Sequence, residues 1–183
     1  MAISSFIVHS TSIITLASHI ALVIFLVGLW LKVPALRAIK SFLGRYVLGL
    51  SFVVVLVGFV GSLLYSEGLG YEPCVLCWIG RVFLYPQIIM IALAMYFKDL
   101  GVLKYLLGLS VIGGLIALYQ SLTLLGGPSF TACTSEGGSC AVIYVLEYGY
   151  ITIPMMALTA FVLMIVLCWA GLYQNRASSI GDR

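Results

Sequence analysis

The chain has 183 residues, of which 63% are hydrophobic and only 8% charged, with a formal net charge of +3. Soluble domains carry about 25% charged residues, so this chain cannot coat a globule in water, and its high hydrophobicity also excludes a disordered chain. The small net charge, with no basic stripe beside an aromatic platform, argues against nucleic acid as a partner. The length suits a single membrane bundle.

Five segments are long and apolar enough to cross a bilayer, at about 13–31, 46–66, 76–97, 105–126 and 149–172. They read as helices, because runs such as Phe52 to Val57 are apolar on every side. A barrel strand would alternate. The first segment resembles a signal peptide in hydropathy. Residues 1–12 carry no Lys or Arg, however, and no clear small-residue cleavage site follows, so it is expected to be retained as a helix. His9 and His19 lie at or in it and read as packing or interfacial residues.

The first connection holds Lys32, Arg37, Lys40 and Arg45, the third holds Lys98, Asp99 and Lys104, and the tail holds Arg176, Asp182 and Arg183. The other two connections, near 67–75 and 127–148, hold Glu67, Glu72, Glu136 and Glu147 and no basic residue. Eight of the nine Lys and Arg residues therefore fall on one side. The positive-inside rule makes that side cytoplasmic, with the N-terminus outside and the C-terminus inside. Tyr65, Tyr71, Trp78, Tyr96, Tyr105, Tyr148, Tyr150, Trp169 and Tyr173 lie near span ends and read as an interfacial aromatic belt. Gly58 with Gly61, and Ser110 with Gly114, read as small residues at helix contacts. Pro86 and Pro154 are expected to kink the spans that hold them.

The cysteines carry the sharpest signal. Cys74 and Cys77 form a Cys-x-x-Cys pair at the outer end of the third segment, and Cys133 and Cys140 lie in the outer connection before the fifth. Four of the five cysteines are thus on the side where disulfides persist. The fifth, Cys168, reads as a small apolar packing residue. A Cys-x-x-Cys pair exchanges electrons readily, whereas a structural disulfide gains more by closing a longer loop. The six residues from Thr134 to Ser139 are polar and include Gly137 and Gly138, which suits attack on a Cys133–Cys140 disulfide by another protein's thiolate. Four cysteines could instead hold a structural zinc, which an oxidising exterior disfavours. Two inert structural disulfides are the other alternative.

Arg81 follows Cys77 by four residues, so on a helix the two side chains share a face one turn apart. A charge within a membrane span marks function by default; the alternative is snorkelling to the headgroups. A cation at this position favours a thiolate on Cys77 and can hold negative charge on an acceptor's oxygen. Lipid-soluble quinones, apolar rings with two carbonyl oxygens, are the acceptors that suit this depth.

The run Pro73-Cys74-Val75-Leu76-Cys77-Trp78-Ile79-Gly80-Arg81, followed by Tyr85-Pro86, resembles the signature of the disulfide bond formation protein B family, DsbB and its BdbC relatives. The stretch from Tyr150 to Leu158 is similar to the BdbC-type branch. The resemblance covers roughly 46–172 and implies an all-α integral membrane protein of the bacterial inner membrane, with a four-helix transmembrane bundle. Residues 1–45 then add an extra N-terminal helix and a basic loop, and 173–183 form a cytoplasmic tail.

The resemblance further implies an enzyme that reoxidises a DsbA-like extracytoplasmic thioredoxin-fold protein and passes two electrons to ubiquinone or menaquinone, with no metal. Cys133 and Cys140 would meet the partner, with the mixed disulfide at Cys133. Cys74 and Cys77 would be the quinone-proximal pair, with Cys77 the thiolate that contacts or adds to the quinone and Arg81 supporting quinone binding. Gly80 stands where the family usually has Gln, the Cys133–Cys140 interval is short, and the first helix is extra. Two alternatives stay open: a quinone–thiol enzyme of the vitamin K epoxide reductase type, and a non-enzymatic membrane scaffold held by disulfides.

Overall fold

The computed structural model describes residues 2–31, 42–125 and 142–181. They form five long helices: α1 (Ala2–Trp30), α2 (Val47–Leu63), α3 (Val75–Phe97), α4 (Leu103–Leu124) and α5 (Ile153–Gly181). Each is long and apolar enough to cross a membrane, α2 together with the π-helical turn that continues it to Gly68, as the five expected spans require. Helix α2 packs on α3, α3 on α4, α4 on α5, and α5 on α2, so these four close into a ring, while α1 packs against α5.

The surface is as apolar as the core, and the core admits polar side chains. Val53, Val57, Val82, Ile89, Leu93 and Leu115 are exposed, while Gln87, Ser110, Gln120, Ser121, Thr152 and Thr159 are buried. In lipid no hydrophobic force drives helices together, so close packing and interhelical hydrogen bonds hold the bundle. Gln87 is fully buried; its Nε2 donates to the Phe83 carbonyl at 2.9 Å, and its Oε1 accepts from Ser110 Oγ at 3.3 Å, joining α3 to α4. Helices α4 and α5 form the most extensive pair because α4 presents Gly113 and Gly114 to Phe161. Gly58 faces Leu84 in the way a small packing residue should, but Gly61 does not: a Cβ there would meet nothing within 4 Å. It lines a partly open cavity instead. Cys168 is fully buried in the core, as expected of a packing residue.

Two element boundaries differ from the sequence expectation. Helix α1 starts at Ala2 rather than near residue 13. Four of its hydroxyls, those of Ser10, Thr11, Thr15 and Ser18, each donate to a carbonyl one turn back. Helix α5 starts at Ile153 rather than 149. Tyr148 and Gly149 take left-handed backbone (φ 53° and 79°), and Glu147 pairs with Ile151 in a tight reversal. Thr152 Oγ1 then accepts the Met155 N–H at 3.4 Å. Pro154 therefore falls in the first turn of α5, where a missing N–H costs nothing. It is a helix start and not the mid-span kink site expected. Helix α3 does run through Pro86.

A partly buried polar clasp fixes α1 to the bundle. Thr159 Oγ1 donates to the Met155 carbonyl at 2.8 Å, so it accepts from His19 Nε2 at 2.7 Å. His19 Nδ1 is then left to accept from the Tyr150 hydroxyl at 3.2 Å. This is the packing role expected of His19, in one neutral tautomer with both nitrogens used. We expect a double-mutant cycle of His19→Leu with Thr159→Val, read by thermal denaturation in detergent, to give a coupling of about 0.6–1.7 kcal/mol. A coupling of zero would remove the clasp from the account.

Candidate functional site

The site begins at the loop that feeds α3. Pro73 biases Glu72 toward extended backbone, and Cys74 itself is extended (φ −71°, ψ 169°) at the N-cap of α3. The first helical bond, Trp78 N–H to the Cys74 carbonyl, is 3.1 Å. Cys77 is thus the third residue of the helix, and the two sulfurs approach to 3.3 Å, with Cys74 Sγ donating to Cys77 Sγ. A disulfide bond is about 2.05 Å long, so side-chain rotation suffices to close one. The donated hydrogen bond and burial together push the Cys74 thiol well above the ordinary thiol range. Cys74 therefore keeps its proton, and Cys77 is the member of the pair placed to carry negative charge. It lies in the first turn of α3, where unpaired N–H groups favour an anion.

Gln120 reaches the pair from α4. Its Nε2 lies 3.2 Å from Cys74 Sγ and 3.2 Å from Cys77 Sγ, and the residue is only 6% exposed. Gly113, Ala117 and Gln120 fall on one face of α4 by helical spacing. The close α4–α5 contact at Gly113 therefore also aims Gln120.

Both cysteines, Gln120 and Arg81 line one cavity of about 370 Å³. That is within the usual range for a small-molecule site. Arg81 shares the helix face of Cys77, as its spacing predicts, but its guanidinium turns toward α2. Nη2 donates to the Ser62 carbonyl at 3.2 Å, and the group lies 4.9 Å from the Trp78 ring centroid. Among the described residues it has no carboxylate partner. The Ser62 carbonyl also accepts from Ser66 Oγ, just where α2 passes into a π-helical turn, Leu64–Gly68. Gly80 lines the cavity and has open space where a Cβ would stand.

The π-helical turn also buries Tyr65, which is 5% exposed and hydrogen-bonded to Thr11 at 2.6 Å. This corrects the belt expectation for Tyr65, whereas Tyr96, Tyr105 and Tyr173 are exposed as a belt requires. Tyr65 stacks on Tyr71, and Tyr71 on Tyr144, with centroids 6.1 and 4.8 Å apart. The stack ties the segment before Cys74 to the segment after residue 141. Thr11, Ile14, Thr15 and Ser18 of α1 complete the cavity wall.

Of the expected site residues, the structure brings Cys74, Cys77 and Arg81 to one cavity, while Cys133 and Cys140 lie outside the described residues. Gln120 was not expected. Its signal was available as an amide within an apolar span, but it stands 43 residues from Cys77 and nothing local links them.

Similarity to known proteins agrees with this geometry. The family model for Disulfide bond formation protein DsbB matches residues 44–171. Disulfide bond formation protein C of Bacillus subtilis is 37% identical over 63% of this chain and 85% of its own length. The SPbeta prophage-derived disulfide bond formation protein B of the same organism is 38% identical over 70% of this chain and 83% of its own. A probable disulfide formation protein of Metapseudomonas resinovorans is 34% identical over 64% and 83%. No solved structure gives a significant match. With five membrane-length helices and a cysteine pair closed to within one side-chain rotation, the chain belongs to the DsbB family of membrane disulfide bond formation proteins.

Proposed function

We propose that this membrane disulfide oxidoreductase reoxidises a DsbA-like thioredoxin-fold protein outside the cytoplasmic membrane and delivers the electrons to a quinone held beside Arg81. The observation that carries the reading is the common cavity of Cys74, Cys77 and Arg81, with the two sulfurs 3.3 Å apart. Residues 46–172 form the redox unit, which the family match at 44–171 supports. Residues 1–45 add a helix and a basic loop, and 173–183 a tail. The distribution of Lys and Arg supports an outer N-terminus, an inner C-terminus and both cysteine pairs outside.

The sequence of exchanges conserves electrons at each stage. A partner thiolate attacks Cys133, forming a mixed disulfide and releasing Cys140 as thiolate. The partner's second thiolate attacks its own sulfur in that bond and releases Cys133. The partner is now oxidised, and Cys133 and Cys140 are a dithiol. That dithiol reduces the Cys74–Cys77 disulfide by the same two-step exchange. Val142, two residues after Cys140 in the chain, lines the cavity that holds Cys74 and Cys77, which supports a short relay.

The cavity suits a quinone head: its walls are largely apolar, and Arg81 offers a guanidinium that could face a carbonyl oxygen. When bound, ubiquinone or menaquinone supplies a sink for two electrons and two protons. Cys74 and Cys77 provide the two electrons as their disulfide re-forms; the Cys74 thiol gives up one proton, and the second comes from solvent, to which Cys77 released its own on ionising.

The test is purified protein with a reduced thioredoxin-fold oxidase and either quinone, following quinone absorbance. Quinone reduction that requires the reduced partner is the expected result; thiols indifferent to quinone would overturn the reading. Arg81→Ala should raise KM for quinone about tenfold while leaving KM for the partner unchanged. A hydrogen bond from a charged donor is worth roughly 1.5–3 kcal/mol. An unchanged quinone dependence would return Arg81 to a snorkelling role.

A further inference from the structure

Arg81 does not supply the hydrogen bonds at the cysteine sulfurs; it donates to the Ser62 carbonyl. The donor there is Gln120. Its Nε2 is 3.2 Å from each sulfur, and the sulfurs are 3.3 Å from one another, so the three atoms form a near-equilateral triangle. An amide nitrogen carries two N–H groups. The two sulfurs subtend at that nitrogen only about half the angle between its N–H bonds, so one N–H is shared between them; Gln120 and Cys74 are buried, at 6% and 5% exposure, and Cys77 is partly exposed. We propose that Gln120 is a catalytic residue of the Cys74–Cys77 pair: it holds the negative charge on Cys77 in the reduced state, and thereby sets both the reactivity of Cys77 and the potential of the disulfide.

The chemistry follows from which redox state the amide prefers. A thiolate is a charged acceptor, and hydrogen bonds to charged groups are roughly twice as strong as neutral ones. A disulfide sulfur is a weak acceptor. Gln120 therefore binds the reduced pair more strongly than the oxidised pair. Stabilising the reduced form makes a disulfide more oxidising. A neutral donor suits this position within the membrane, because it adds no charge that must be neutralised when the pair is oxidised. Arg81 and Gln120 then divide the work, the guanidinium standing at the Ser62 carbonyl and the amide serving the sulfurs.

This inference rests on the reading of Cys74–Cys77 as a redox pair, but its test needs neither partner nor quinone. In Gln120→Met, which keeps the length and removes both donors, the alkylation of Cys77 by iodoacetamide at pH 7 should slow about tenfold. The rate is assigned to Cys77 by fragment mass. The equilibrium of Cys74–Cys77 with a glutathione buffer should shift about tenfold toward the disulfide, which is about 30 mV. Alkylation and equilibrium both within twofold of the unsubstituted protein would overturn the proposal.

A second measurement needs no variant. The chain has three glutamines, Gln87, Gln120 and Gln174. With glutamine side chains labelled by nitrogen-15, the Gln120 amide resonance should move between the oxidised and reduced protein more than that of Gln87, which is bonded to the Phe83 carbonyl. A Gln120 resonance indifferent to redox state would overturn the proposal even if Gln120→Met failed to fold. If alkylation and resonance respond while no quinone is reduced, the Gln120 role stands and the quinone reading falls.

Discussion

Cys77→Ser should abolish disulfide output. In cells the reduced thioredoxin-fold partner should accumulate, and with purified protein quinone reduction should fall by about a thousandfold or more, the scale on which loss of an enzyme nucleophile is felt. A serine hydroxyl cannot form the sulfur–sulfur bond or ionise near neutral pH. The rest of the site should survive the change, because Ser differs from Cys by one atom and the Cys74 proton can still be donated across the 3.3 Å gap. The control is Cys168→Ala. Cys168 is fully buried in the core beside Leu167 and Met164 and does not line the cavity, so turnover should be unchanged and stability lowered by about 1 kcal/mol or less. Normal oxidation of the partner in Cys77→Ser cells would sink the mechanism, whatever the cavity looks like.

The features read correctly from sequence were those that local chemistry dictates. A bilayer needs about twenty apolar residues per helix, so all five spans were legible. The spacing of Cys74, Cys77 and Arg81 on one helix placed them at one cavity. What was not legible depends on which way a helix faces. Gly61 and Gly113 are both small residues in apolar runs, yet one borders empty space and the other presses on a ring. Tyr65 sits near a span end like the exposed tyrosines, yet the π-helical turn rotates it inward onto Thr11. Pro154 looked internal because the run from Tyr150 is apolar, but left-handed backbone at Tyr148 and Gly149 sets the start of α5 after it. Gln120 joins a pair that precedes it by more than 40 residues, a contact made only by the packing of α4 on its neighbours.

That packing gives the largest expected loss of stability. Gly113→Ala should destabilise the protein by about 1–3 kcal/mol, the usual cost of an extra carbon forced into a filled core. The new Cβ would stand 2.4 Å from Phe161 Cζ and 2.5 Å from Cε1, well inside contact distance. The ring has little freedom to yield, because Phe161 is 1% exposed and packed within the helix ring. Either α4 moves off α5 or the ring moves toward the cavity, whose wall it forms. Both disturb the site: the first shifts Gln120, two helical turns along the same face from Gly113, and the second shortens the space left for a ligand. Gly108→Ala on the same helix is the matched control, since a Cβ there meets nothing within 4 Å. It should be neutral or stabilising by about 0.5–1 kcal/mol, the helix preference of Ala over Gly. Thermal denaturation in detergent reads both variants, and Cys77 alkylation reads the coupling to the site. Equal melting temperatures for the two would mean that α4 and α5 are not held at this contact, and the account of how Gln120 is aimed would fail with it.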